Sequence, residues 1–261
     1  MKQNELSPID ITAQPIVPDA GDLAAIMDEM KDMDTLPFGR VQIAAAGAGV
    51  FRVTEPGEEE ASPATEIVAV ILHNHKANAL WLNKYGTSED KQPDCMSMDG
   101  ETGVVRETGE CRSCASCPYN QYGSADSGTG RGKACKNTRR LYLMRHGDVF
   151  PMILHLPSTA LAAFDKYRTK VMLQKQRLTG VITRIRLKNA ANKDGIAYST
   201  PVFEAIAVLP SEEAARVRKY ADGFIAAING MTTQQTGGMS AACTAVESGF
   251  VDVDDEELPF N

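Results

Sequence analysis

The sequence predicts a mainly β chain of the α+β class, an antiparallel barrel of the OB type with a Cys-rich loop insertion, flanking helices and a disordered acidic tail. Three observations lead there. At least five segments are strand-like, several alternating apolar and polar residues with the period of two that a half-buried strand requires. Five of the six cysteines crowd into residues 95–135, a segment too rich in Gly, Ser, Asp and Pro to bury a core of its own. No Gly-rich loop leads from a strand into a helix in a nucleotide-binding frame, which argues against a doubly wound parallel sheet.

Residues 1–36 read as an acidic arm. Within it, Leu23, Ile26, Met27 and Met30 recur at helical spacing, so residues 22–33 are expected to form a short amphipathic helix that Pro37 and Gly39 end. The OB-like domain is expected over residues 37–230. VQIAAAG and GVFRVTE read as two strands around a glycine break, followed by the acidic loop PGEEEASPA. Residues 65–83 carry a β-branched run and read as one or two strands. They put His73 and His75 on one face, either as a plain polar sheet surface or as contacts to metal or phosphate.

The cysteine spacing points to a metal. A C-x2-C pair holds two sulfurs on one tight turn, and two further thiolates complete a tetrahedron around Zn2+. Cys95, Cys114, Cys117 and Cys135 are the expected ligands of a structural zinc, because CPYN after Cys117 resembles the closing half of a knuckle. Cys111 overlaps Cys114 at the same spacing and is the alternative ligand. Zinc is favoured over an iron–sulfur cluster, which also uses thiolates. The start of the chain has no basic end followed by an apolar run, so disulfides are disfavoured and a bacterial cytoplasmic or nucleoid location is expected. No apolar run of about 18 residues suggests a membrane partner.

After the loop, RRLYLMR and VFPMILHL read as a hairpin turning at HGD, where Gly147 permits a tight reversal. Ser158 is expected to cap a helix from Thr159 to about Leu173, with Leu161, Phe164 and Tyr167 inward. VITRIRLK then alternates, one face carrying Arg184, Arg186 and Lys188, before a polar turn and a further strand. Ser211 is expected to cap a last helix that Gly230 ends. Residues 231–251 have the composition of a flexible linker.

Charge is segregated along the chain. The net charge of -7 conceals a segment, residues 131–193, with fifteen Lys and Arg against Asp148 and Asp165, while residues 252–261 hold five acids and no base. A basic body with an acidic tail fits a protein that holds a polyanion. The rings among the cations suggest an unpaired strand, whose bases stack on flat side chains while Lys and Arg track phosphates. Expected contacts are Trp81, Tyr119, Tyr122 and Tyr142 as rings, with Lys133, Lys136, Arg139, Arg140, Arg184, Arg186 and Lys188 as cations.

The terminal DDEELPF resembles the acidic tip of bacterial single-stranded DNA-binding proteins, which finishes in an acidic run, an apolar residue, Pro and Phe. The central CPYNQYGS and GKACKNTRRLYLMR are similar to a group of phage and mobile-element proteins that bind single-stranded DNA in replication and recombination. Helix-destabilising proteins of T-even phages likewise join an OB fold, a zinc loop and an acidic tail. Two departures stand out: Asn261 follows the Phe, and Cys111 is an additional thiol. The resemblance implies that Asp254, Asp255, Glu256, Glu257, Leu258, Pro259 and Phe260 recruit replication and recombination proteins.

The expected function is therefore a non-enzymatic protein that coats and protects single-stranded DNA without strong sequence preference. A homo-oligomer is left open. The alternatives are a zinc-dependent nuclease or deaminase and an adaptor whose zinc loop docks protein. Against the deaminase, no H-x-E partners a P-C-x2-C motif.

Overall fold

The computed structural model describes residues 17–18, 25, 28, 38–44, 47–82, 93–125, 132–191 and 197–235, with side chains as far as residue 226. The chain divides into two compact units, residues 1–78 with 136–227 and residues 79–135 with 228–261. Ala25 and Asp28 are helical and exposed. The rest of the expected first helix, the turn at 192–196, the linker beyond residue 235 and the acidic tail lie outside the described residues.

In the first unit β1 (Arg40–Ile43), β2 (Phe51–Thr54) and β3 (Ser62–Ala64) lead into the long β4 (Glu66–Leu80), whose last two residues belong to the second unit. β8 (Lys136–Met144) and β9 (Met152–Leu156) form a hairpin, then come helix α1 (Ser158–Leu173), the paired β10 (Val181–Ala191) and β11 (Ala197–Val208), and helix α2 (Ser211–Gln235). The strand order is β3-β2-β1-β9-β8-β4, with β10 also on β4 and β11 on β10. β1 with β2, β2 with β3, β8 with β9, β4 with β10 and β10 with β11 pair antiparallel, and β1 with β9 pairs parallel.

The expected antiparallel barrel is thus corrected to a mixed sheet that does not close. β1 lies along the free edge of β9, with Arg40 opposite Ile153 and Val41 opposite Leu154, and so satisfies backbone groups that a closing strand would need. The mainly β, α+β class stands. Two boundaries also differ from expectation. Ser158 is the first helical residue and Pro157 the cap, without a side-chain capping bond; α2 runs on past Gly230 to Gln235.

One hydrophobic cluster holds the unit. Strand alternation sends Ile67, Ala69 and Ile71 of β4, Leu141 and Leu143 of β8, and Leu154 and Leu156 of β9 toward Ala160, Phe164, Tyr167 and Val171 of α1. Tyr167 is tied to Thr183 of β10 by a buried 2.6 Å hydroxyl pair. The turn between β8 and β9 carries Gly147 at φ 88°, a conformation that favours glycine. Arg145 fixes that turn by pairing with both oxygens of Glu55, at 2.9 and 2.6 Å, and with Asp148 at 2.7 Å. These contacts hold the guanidinium well above its usual pKa, hydrogen bonding to Glu55 being the largest cause.

The second unit contains the end of β4, β5 (Cys95–Ser97), β6 (Thr102–Val105), β7 (Cys111–Ser113) and a 3-10 turn at Pro118–Asn120. The strands pair in the order β4-β5-β6-β7. Asp99 shapes the reversal between β5 and β6: its Oδ1 accepts from the backbone N–H of Glu101 and Thr102 and from the Ser97 hydroxyl. Burial raises the Asp99 carboxyl, but these donors together hold it below its ordinary value.

Candidate nucleic-acid interface and thiol cluster

Because successive strand residues point to opposite faces, Arg140 and Tyr142 emerge on the side away from Leu141 and Leu143. Arg140 stands directly across from His155 of β9. Arg40 of β1 acts electrostatically on both, and His75 of β4 acts on His155. None of the groups acting on Arg140, His155 or His73 is a carboxylate among the described residues. Burial pulls the Arg140 guanidinium below its ordinary pKa, and its Nε is buried with no hydrogen-bond partner. Desolvation, then Arg140, Arg40 and His75, drive His155 down to about 4 although the residue is exposed. His73 is lowered by burial and by His75, whose ring stacks on it at 5.7 Å.

The patch has an internal order. His75 Nδ1 lies 2.9 Å from the Lys76 carbonyl oxygen, an acceptor, so it must carry the proton. His75 Nε2 lies 3.3 Å from the Tyr142 hydroxyl, and Arg140 acts electrostatically on that hydroxyl. Tyr142 is 5% exposed, its ring enclosed by Phe38, His73, His75 and Phe224. Its faces are not open for a base to stack.

Other expected cations go elsewhere. Arg139, adjacent to Arg140, points to the opposite face, where Nη1 donates to Asn74 Oδ1 at 2.7 Å and the guanidinium lies over Phe164. Arg186 pairs with Glu66 at 2.9 Å, and Arg184 lies 3.6 Å from Glu66 and 3.5 Å from Glu204. The cationic face of β10 is therefore matched by acids on β4 and β11, the charge mixture of an ordinary solvated face. Lys188 and Lys136 are exposed.

The second unit has a different character. Residues 93–135 contribute nothing to the hydrophobic cluster, and the buried side chains described there are Ser97, Cys114 and Cys135. The free thiols among the described residues are Cys95, Cys114, Cys117 and Cys135. Cys111, the alternative ligand, is disulfide-bonded, although the sequence disfavours disulfides for this segment. Cys117 precedes the turn Pro118–Asn120, and Asn120 Nδ2 donates back to the Cys114 carbonyl at 2.7 Å. The Cys135 amide donates to the Tyr119 carbonyl at 2.8 Å, tying the downstream cysteine to the knuckle.

The thiols sense one another. Burial and the neighbouring Cys114, Cys117 and Cys95 push Cys135 up to about 11, and burial with Cys114 and Cys117 raises Cys95. A Cβ on Gly103 would lie 3.0 Å from the Cys95 sulfur and 3.6 Å from that of Cys114, so the space between these sulfurs depends on a missing side chain. Among the described residues no set of three or more His, Cys, Asp or Glu stands at metal-ligand geometry. Four thiolates are a donor set whose chemistry suits Zn2+, and closure of a tetrahedron would require the sulfurs to draw inward. Gly103→Ala is expected to lower zinc occupancy, since its methyl group would meet both sulfurs. Elemental analysis of the purified variant against wild type checks this, and equal occupancy would count against a shared site.

Around the thiols lie exposed rings: Trp81 (45%), Tyr119 (37%) and Tyr122 (81%). Lys133 Nζ sits 4.9 Å from the Tyr122 ring centroid and 3.3 Å from Asn120 Oδ1. The expected contact residues thus divide between the units, and reasoning from sequence alone missed Arg40 and His155. No helix among the described residues is long and apolar enough to cross a membrane. No family model, curated protein or solved structure matches the chain.

Proposed function

We propose that the protein is a non-enzymatic binder of single-stranded DNA that accepts the strand without strong sequence preference. The observation that carries this reading is the group of Arg40, Arg140 and His155 on the sheet face of β1, β8 and β9, where no carboxylate acts on Arg140 or His155 among the described residues. Cations held together without carboxylates suit a polyanion, and the exposed Trp81, Tyr119 and Tyr122 offer π-faces for bases. The connectivity supports an OB reading. With β4, β8, β9, β10 and β11 taken as strands one to five, β8 and β9 are the second and third, and the cysteine segment is the loop between the first and second. Oligonucleotides bind OB folds on that face and that loop.

In this reading a structural Zn2+ held by Cys95, Cys114, Cys117 and Cys135 organises the loop that presents Tyr119, Tyr122 and Lys133. The acidic residues 254–257 and the apolar Leu258, Pro259 and Phe260 recruit replication or recombination proteins. A closed all-Cys site leaves no open coordination position, which weighs against a nuclease or deaminase.

Titration of fluorescent oligo-dT at two salt concentrations tests the reading. A protein neutralising about four phosphates weakens about 50-fold between 50 and 200 mM salt. Salt-independent binding, or none at the lower concentration, overturns it.

A further inference from the structure

Several other cations on the described surface are paired with acids: Arg145 with Glu55 and Asp148, Arg184 with Glu66 and Glu204, Arg186 with Glu66. One patch departs from this pattern. Arg140 and His155 face each other across β8 and β9, Arg40 of β1 adds a second guanidinium, and no carboxylate acts on Arg140 or His155 among the described residues. Like charges directly opposite on a sheet repel. The Arg140 Nε is buried with no acceptor, and Tyr142 of the same strand face acts electrostatically on the guanidinium. His155 and Arg40 remain open to solvent.

We propose that Arg140, His155 and Arg40 form a seat for one phosphate group, and that filling the seat brings a proton onto His155. A phosphate supplies the negative charge that the patch lacks. Under the proposed function, on which the identity of the polymer rests, the group is one phosphodiester of the bound strand. The seat itself depends only on phosphate chemistry.

The direction of the linkage follows from the groups around His155. Arg140, Arg40 and His75 face it, with Tyr142 between Arg140 and His75 and with His73 stacked on His75. In the free protein desolvation of the ring by its neighbours, with Arg140 and Arg40 beside it, holds the pKa of His155 down to about 4. An anion beside the ring favours the charged form and raises that midpoint. Between the free and bound midpoints the complex holds more protons than the free protein, so affinity rises as pH falls, by at most about tenfold per pH unit for one proton.

The full-length protein and its His155→Gln variant are titrated with fluorescent oligo-dT at pH 7.5 and 5.5 at constant ionic strength. In parallel, inorganic phosphate is added to both proteins while the histidine imidazole resonances are followed by NMR. Wild type is expected to bind oligo-dT more tightly at pH 5.5, His155→Gln to lose most of that gain, and phosphate to shift and protonate His155. A phosphate-induced shift without oligo-dT binding supports the seat and overturns the single-strand reading. Oligo-dT binding with the same pH dependence in both proteins, or a His155 signal unmoved by phosphate, overturns the seat and leaves the single-strand reading standing. Equal thermal midpoints of the two proteins separate these outcomes from misfolding.

Discussion

Stripping zinc with a chelator, or replacing Cys114 and Cys135 together by serine, is expected to unfold residues 93–135 while β8 to β11 and α1 keep their structure. The first unit holds its own hydrophobic cluster, with Phe164, Leu141 and Leu154 at 0% exposure. The second contributes nothing to that cluster, and two of its few buried side chains are the thiols themselves. Structural zinc supplies about 10–16 kcal/mol of apparent binding free energy near neutral pH, far more than such short hairpins could gain from burial. Limited proteolysis should cut the metal-free protein within residues 95–135, and elemental analysis should find one zinc per chain before treatment. A metal-free protein with an unchanged cleavage pattern would exclude the metal as the organiser of this segment.

Arg140→Met should lower the affinity for oligo-dT by tenfold or more without lowering the thermal midpoint. A hydrogen bond to a charged group contributes about 1.5–3 kcal/mol, and about 1.4 kcal/mol is a factor of ten in affinity. Stability should not suffer, because the guanidinium is a partly buried cation with an unpaired Nε and no carboxylate acting on it. Removing one buried unsatisfied donor contributes about 1–3 kcal/mol in the variant's favour. Arg184→Met provides the contrast, since it removes ion pairs with Glu66 and Glu204 and is expected to leave oligo-dT binding within twofold. Wild-type affinity in Arg140→Met would remove the sheet face from the interface.

Much of the fold is legible locally. VITRIRLK shows its buried face by alternation alone, and Val181, Thr183 and Ile185 are indeed buried. The hairpin of β8 and β9 is readable for the same reason, and the C-x2-C spacing isolates Cys114 and Cys117. β5, β6 and β7 escape notice because three or four residues are too few to display a period, although the Asp99–Gly100 pair between short segments is a turn signal. The cations of β10 look unmatched in sequence because Glu66, which pairs with Arg186, is 120 positions away. The patch on β1, β8 and β9 is hidden by the same distance. It is assembled from Arg40, Arg140 and His155, and only the sheet order brings these residues side by side. The parallel pairing of β1 with β9 has no local signature, so the open, mixed character of the sheet could not be read from either strand alone.

The scarcity of buried apolar side chains in residues 93–135 bears on how loss of their structure would be seen. Both the heat-capacity change and the denaturant m-value scale with surface newly exposed to water. Melting of this segment would expose little, so a calorimeter or a urea titration would register almost nothing while the thiol knuckle came apart. Scanning calorimetry would report a sound molecule even where thiol-reactive labelling of Cys114 and Cys135 reported an opened one.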